Sequence, residues 1–512
     1  MKLNKRAALI FALILAVSLT LSQPVMAIMA EDDLEPQQIV LTWQDDPTET
    51  MSMTWRTRSE GDSMVYFTSA ENPSDDDFKS EHAKTWTFEE TDYWVHGTEL
   101  RDLEPDTEYK AYLRTEQEES KEFTFRTAPE DSREIAFLAG ADSRTNVEER
   151  REINRRAAEL DPEFVVFAGD LIDSPLSNSD WERFFRDWDE LMITEDGRRI
   201  PLVPAIGNHE VAGGYYEGRA EAPFYYKNLL LPGNEKYYRL DYGPDLTVLT
   251  LDSDHTSSVY GGEQLRWLER TLPELEDRWV IPQYHVPAWP SQRSFHGSIS
   301  RRVRDHWVPL FEEYDVEIVK EAHDHTYKVT ENIYGISEYK EDLDEMIESG
   351  MERAREDFDP EEDYTPWTIP EMGDLSAGDY EEIEDIDNVM EGLEELLYFS
   401  SLYLIQEDDE VDYYSLYSEV AGTSLYDEVW EQLPEFYDVK AEGGIPYIGD
   451  GGWGAPLREA DHPDERWYLS DTATQYNFFE LTLDPEAEEL EVIPHIWQDE
   501  EEWIEYDGFT ID

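Results

Sequence analysis

The stretch PLVPAIGNHE, Pro201–Glu210, reads as a short buried strand, Leu202–Ile206, that stops at a glycine. Three polar residues with metal or acid–base chemistry follow it: Asn208, His209 and Glu210. An apolar run bounded by Gly fits a strand in the core of a sandwich, although so short a run does not fix its type by periodicity alone. Asn is a poor general base but a usable neutral oxygen ligand for a divalent cation. Other places in the chain repeat the design, an apolar run ending in Asp or His. Ile135–Ala139 ends in Gly140-Ala141-Asp142-Ser143-Arg144, and Phe164–Ala168 ends in Gly169-Asp170-Leu171-Ile172-Asp173. Trp279–Tyr284 leads into His285, and Val316–Lys320 precedes Ala322-His323-Asp324-His325.

Between these strands the periodicity changes to that of helices. Asn146–Leu160, with Val147, Ile153, Ala157 and Leu160 roughly on one face, predicts an amphipathic helix. Asp180–Met192, Gly262–Leu275 and Arg301–Tyr314 predict three more, the third of these four containing Pro273 near its end. Val248–Leu251 is a further strand, ending in Asp252-Ser253-Asp254-His255. Strands alternating with helices from residue 133 to 337 predict an α/β domain.

The preceding residues, 36–128, predict a β-sandwich. Ile39–Trp43, Met51–Arg56, Ser63–Phe67, Trp86–Phe88, Trp94–Leu100, Glu108–Arg114 and Glu122–Arg126 are short β-prone runs separated by turn residues. The turn Leu103–Tyr109 and the exit FTFRTAP (Phe123–Pro129) resemble those of a fibronectin type III-like domain. His82 and His96 have no partner at ligand spacing and read as surface or packing residues. Residues 338–440 interrupt the α/β rhythm with two acidic helices, Tyr339–Phe358 and Tyr380–Leu397; this insertion is either a lid or a passive surface elaboration. The β pattern resumes at Ile445–Ile448 and closes, within 441–512, on Phe478–Leu483 and Glu489–Ile493.

Residues 1–27 have a basic start, an apolar middle and a small-residue end, the pattern of a secretory signal peptide cut after Ala27 or Ala30; the alternative is an uncleaved anchor. Residues 28–35 are a short acidic linker. No later run is long and apolar enough to cross a bilayer. The location expected is secreted, periplasmic or cell-surface. There is no cysteine, so no disulfide stabilises the exported chain. Asp and Glu number 121 against 41 Lys and Arg, a formal net charge of −80. The 13% aromatic content argues for a folded core rather than disorder. The acids are scattered, and at molar salt the screening length falls to about 3 Å, which points to a halophilic surface. Such a surface makes nucleic acid or an anionic membrane a poor partner.

Gathered together, Asp142, Asp170, Asn208, His209, His285, His323 and His325 lie on loops at strand ends, where α/β sites form. Carboxylate, amide and imidazole donors of this kind suit two hard divalent or trivalent ions, with one carboxylate bridging. The order Asp…Gly-Asp…Gly-Asn-His-Glu…His…His-x-His resembles the calcineurin-like metallophosphoesterases, in their purple acid phosphatase branch. The resemblance runs over most of 36–337 and resumes at 443–483, where Ile445–Arg458 looks like that branch's closing segment. It implies a four-layer α/β/β/α core behind the β-sandwich. It also implies a dinuclear centre of iron, manganese or zinc, with Asp142, Asp170 and His325 on the first ion and Asp170, Asn208, His285 and His323 on the second. His209 would touch the substrate phosphate and protonate the leaving alkoxide, and His296 would be a second substrate-facing histidine.

Two cations about 3.5–4 Å apart lower the pKa of a bound water, and the resulting hydroxide attacks phosphorus in line. A positioned His adds roughly 10²–10⁴-fold. Two positions depart from the branch. A Tyr stands there three residues after the Gly-Asp aspartate, where this chain has Asp173, which is either an added ligand or a helix cap. Many members have Asp-x-His at the first motif, where this chain has Arg144, which either grips phosphate or pairs with a carboxylate. The expectation is a secreted metal-dependent phosphomonoesterase acting on a small phosphorylated substrate. The alternatives are a phosphodiesterase or nucleotidase of the same fold, and a non-catalytic surface binding protein on a decayed phosphatase scaffold.

Overall fold

Burial along Glu108–Thr115 alternates at every residue, with Tyr109, Ala111 and Leu113 turned inward, as a strand with one wet face requires. A computed structural model of the chain describes residues 32–71, 78–88, 91–212, 219–253, 262–295, 297–334, 438–439, 444–499, 502–506 and 508–511. The expected signal peptide, His296, Asp254, His255 and the two helices expected in the insertion lie outside the described residues.

The first domain is a sandwich of two sheets. One has the order Gln37–Thr42, Met51–Thr57, Trp94–Leu100, Lys84–Trp86. The other runs Lys79–His82, Ser63–Ser69, Glu108–Thr115, Glu118–Glu119, with Phe123–Arg126 also on Glu108–Thr115. The Tyr109 hydroxyl accepts the Glu104 amide at 2.8 Å and closes the turn that precedes its strand. His82 is exposed. His96 is buried between the Thr57 and Thr85 hydroxyls at 2.8 and 2.9 Å, and burial lowers its pKa to about 4. Both are accounted for without ligand chemistry. The expected strand Trp86–Phe88 instead ends at Trp86. The Lys79–His82 strand before it is exposed along its whole length, so it carries no hydrophobic pattern to read.

The second domain is built on two seven-stranded sheets. In the first, Leu202–Pro204, Val165–Phe167 and Ile135–Gly140 run parallel, and Tyr476–Asp484 and Glu489–Asp499 continue it antiparallel. In the second, Leu246–Thr250, Trp279–Gln283, Val319–Lys320 and Tyr447–Gly449 are parallel. The edge strand Tyr238–Tyr242 and the pair Tyr327–Thr330 and Leu469–Ala473 flank them antiparallel. Adjacent residues face opposite ways, and the packing divides accordingly. Val248, Ile281, Ile318 and Ile448 join the core shared with the first sheet, while Leu249, Val280, Val319 and Tyr447 join a separate core with the helices Glu263–Thr271, Ser298–His306 and Val308–Glu313. Helices Val147–Glu159 and Asn178–Leu191 cover the other side, with Phe184 and Trp188 edge-on to Phe167. The layers are therefore helix, sheet, sheet, helix.

The helix expected over Arg301–Tyr314 is two helices broken at Trp307, because Pro309 lacks the amide that a continuous helix would need. The domains share one hydrophobic core. At their junction, buried Arg56 lies 3.6 Å over the Phe185 ring and donates to Asn228 Oδ1 at 3.2 Å. Among the described residues no helix is long and apolar enough to cross a membrane.

Trp453 locks the closing segment into the first sheet. It is fully buried, packs edge-on to Phe167 and tilted on Phe478, fills the space that the missing side chain of Gly140 leaves, and donates to Asn154 Oδ1 at 2.7 Å. Trp453→Ala should therefore lower the stability of the second domain by about 3–5 kcal/mol, read as a fall in the urea unfolding midpoint at molar salt.

Candidate metal centre

The strands that carry the polar residues all end at the same edge of the sandwich, and their loops interlock through the backbone. The Asp142 amide donates to the Gly169 carbonyl and the Ser143 amide to the Asp170 carbonyl, both at 3.0 Å; the Ala322 amide donates to the His285 carbonyl at 3.1 Å. Asp142, Asp170, His323 and His325 all take left-handed backbone, at φ 59°, 56°, 80° and 60°. Such angles cost on the order of 1–3 kcal/mol each and persist only where the surroundings enforce them.

These turns bring two groups of donor atoms together. Asp170, His285 and His323 form one, and Asp142, Asp170 and His325 form the other, with Asp170 common to both. Asp142, Asp170, His285 and His325 are buried. Asn208 Oδ1 stands 3.1 Å from His285 Nε2, which is itself 3.0 Å from His323 Nδ1 and 3.3 Å from Asp170 Oδ1. His285 Nδ1 is 2.9 Å from the Ala168 carbonyl and His325 Nδ1 is 2.9 Å from the Pro456 carbonyl. Only a protonated Nδ1 can donate to a carbonyl, so in each ring the Nε2 lone pair turns toward the carboxylates. Oxygens and lone pairs then face one another across about 3 Å: His285 Nε2 faces Asn208 Oδ1 and Asp170 Oδ1, and His325 Nε2, which also meets Arg144 Nη2 at 3.2 Å, is 3.1 Å from Asp142 Oδ1. Asp142 Oδ1 and Asp170 Oδ2 are buried without a hydrogen-bond donor. Buried acceptors aimed at each other are unfavourable unless a cation lies between them, and this donor set fits such ions.

Burial alone would raise the Asp170 pKa, but it is outweighed by the lowering that positive charge at His285, and then at His209 and His323, exerts on the carboxyl, so the surroundings of Asp170 favour positive charge facing it. Burial and the neighbouring His285 keep His323 neutral, as a ligand must be. Glu210 is not among the donors. Its carboxylate accepts the amides of Gly207, Asp170 and Leu171 at 2.7, 2.9 and 2.8 Å, and so ties the Asn208 loop to the Asp170 loop. Burial and the Asp170 charge push the Glu210 pKa up to about 8, against the pull of those amides.

His209 lies beside the centre, with Nδ1 2.5 Å from the Asp173 carbonyl and Nε2 3.9 Å from Asp170 Oδ2. Arg144 reaches across the second group, with Nε 3.5 Å from Asp170 Oδ2 and Nη2 3.2 Å from His325 Nε2. Asp173 lies beside Arg144. Its half-exposed carboxylate takes Arg144 and the Thr145 hydroxyl at 3.3 and 3.1 Å, outside both donor groups, and the next helix is capped by Ser177 instead. The Asp173 side chain thus holds Arg144, and the cap of that helix is Ser177.

Two further features escape a reading of separate motifs. Buried Lys328 pairs with Glu321 and Asp450 at 2.6 and 2.9 Å, and Glu321 also accepts the Ala288 amide and the Tyr284 hydroxyl, fixing the loop that follows His285. Gly451, at φ 91°, lies against the Asp142 carboxylate, where any side chain would collide with it. The only sequence hint was the glycine run after Ile448.

A family described as calcineurin-like phosphoesterase matches residues 143–327, and one described as purple acid phosphatase, N-terminal domain, matches 36–127. An uncharacterised protein of Mycobacterium tuberculosis is 26% identical over 283 residues, covering 48% of this chain and 52% of its own length. A purple acid phosphatase of Glycine max is 25% identical over 336 residues, covering 59% and 67%. The chain spans about half the length of the curated mycobacterial relatives it matches. Purple acid phosphatase PPD1 from yellow lupin seeds shares the fold, with a TM-score of 0.61 at 16% identity over 93% of this chain and 74% of its own.

Gly451→Ala should displace the Asp142 carboxylate and weaken binding at the Asp142–Asp170–His325 group. Metal titration calorimetry should show one strong binding event lost and the event at the Asp170–His285–His323 group retained.

Proposed function

We propose that this chain, which carries a calcineurin-like phosphoesterase domain behind a purple acid phosphatase N-terminal domain, is a secreted, metal-dependent phosphoesterase that hydrolyses phosphate monoesters. The observation that carries the reading is the single buried carboxylate, Asp170, shared by two groups of donor atoms. Iron, manganese or zinc suits the oxygen and imidazole donors. When bound, two such ions would neutralise phosphate oxygens and lower the pKa of water.

The remaining steps belong to the protein's own groups. His209 is held through Nδ1 by the Asp173 carbonyl, so Nε2 is the atom presented to the site. Protonated there, it would donate first to a phosphate oxygen and then to the leaving alkoxide. Arg144, held by Asp173, offers planar donors to the phosphate. The charged surface would act as the solvent adaptation of an enzyme working outside the cell in high salt.

The test is p-nitrophenyl phosphate hydrolysis in molar salt, before and after chelation, with ions returned singly. Chelation should abolish turnover and one or more ions should restore it. His209→Ala should lower kcat roughly 10²–10⁴-fold at unchanged metal content. Undiminished turnover by the metal-free protein would overturn the reading. A folded, metal-loaded protein inert toward monoesters but active on diesters would replace it with a phosphodiesterase.

A further inference from the structure

A cavity of about 520 Å³ opens on the flank of the second domain, a volume in the range of small-molecule sites. Its walls are the loop before the edge strand Tyr238–Tyr242 and the outer face of helix Glu263–Thr271. Tyr238 pairs with Thr250, two strands from the one that leads into His285. At the usual strand spacing the cavity therefore lies about 10 Å or more to the side of that histidine.

The half-buried rings of Tyr237 and Trp267 meet in the wall, with centroids 5.1 Å apart and planes tilted by 49°. Asn234 Oδ1 accepts the Lys236 and Tyr237 amides, both at 3.0 Å, and so fixes the loop that carries Tyr237. Arg266 and Arg270 are exposed and stand four residues apart on one helix face, a spacing at which like charges weaken a helix. Among the described residues neither forms an ion pair or a side-chain hydrogen bond. Exposed Arg58, Arg101, Arg155 and Arg183, by contrast, all hold carboxylates. Glu263, one turn before Arg266, is exposed too and makes no ion pair among the described residues. Burial and then the Glu263 charge raise the Tyr237 pKa, against Asn234 and Arg270, so that hydroxyl stands near both charges. Arg239, on the strand side, is already held by Asp241 and Glu274 at 2.8 and 3.1 Å.

The cavity thus offers two guanidiniums without an anion, one carboxylate without a donor, and an aromatic surface. A bare inorganic anion would be repelled by Glu263 and would gain nothing from the rings. A neutral sugar would leave the arginines without a counter-charge. We propose that this cavity binds a uronic-acid unit of an acidic polysaccharide. Arg266 and Arg270 hold the sugar carboxylate, which their planar donors fit. Ring hydroxyls donate to Glu263, and the C–H face of the sugar lies on Trp267 and Tyr237. At molar salt the net charge of −80 acts over only about 3 Å, so these contacts decide binding rather than the overall charge. The site is separate from the metal centre, and its existence does not depend on the hydrolytic reading.

The test is calorimetric titration of the full-length, metal-loaded protein with trigalacturonate in molar salt. The comparison compounds are maltotriose, a neutral trisaccharide, and tricarballylate, a tricarboxylate without a ring. Wild type should bind trigalacturonate saturably, and each comparison compound about tenfold more weakly or less. The double variant Arg266→Gln/Arg270→Gln, checked for folding by circular dichroism and for metal content, should lose about tenfold or more in trigalacturonate affinity. Because that variant keeps every metal-centre residue, its loss separates this cavity from binding at the metals. Trp267→Ala should weaken the same binding. No saturable binding to wild type, undiminished binding by the arginine variant, or equal binding of either comparison compound would overturn the proposal.

Discussion

Removing a carboxylate from water costs several kcal/mol even after the protein relaxes around it, and Asp170 is completely buried at the junction of three loops. One oxygen takes the His209 amide at 2.9 Å; the other has no hydrogen-bond donor. The surrounding structure answers to that charge. Glu210 grips the Asp170 and Leu171 amides so that the left-handed turn cannot relax, and Gly207 leaves room because a side chain there would strike the Asp170 carboxylate. His285 and His325 are oriented by backbone carbonyls that turn their Nε2 atoms toward Asp170 and Asp142 respectively. A site so arranged makes chemical sense as a cation-binding centre and little sense as a packed core.

The same constraint links the fold to the centre. The first sheet brings Asp142, Asp170 and Asn208 on successive parallel strands, the second brings His285, His323 and His325, and the interlocked backbone joins the two edges. The closing segment then returns from far along the chain, with Trp453 in the first sheet and Gly451 against Asp142. Arg458, a few residues on, holds the His323 carbonyl. One segment thus supports the sheet, shapes a donor and contributes a cation to the rim.

Much of this was legible in the sequence, because each strand announces its end by switching from apolar to polar residues within one or two positions. The strands before Asp142, Asp170, Asn208 and His285 were readable for that reason, as was the order of sandwich, then α/β domain. Strands without an apolar pattern were not. Lys79–His82 is exposed throughout, and Tyr238–Tyr242 is an edge strand that alternates with charged residues. The role of Asp173 depended on which way Arg144 turned, which spacing does not encode. The Glu321–Lys328–Asp450 network joins residues more than a hundred positions apart, and only the closed sheet shows that they meet.

The central claim is that one carboxylate serves two ion positions. Elemental analysis of wild type and Asp170→Asn, after metal loading and gel filtration in molar salt, tests it most directly. Two ions per wild-type chain, with neither held at stoichiometric level by the folded variant, is the result the shared-carboxylate geometry predicts. A variant that keeps one full equivalent would show that the two groups bind independently and would contradict it.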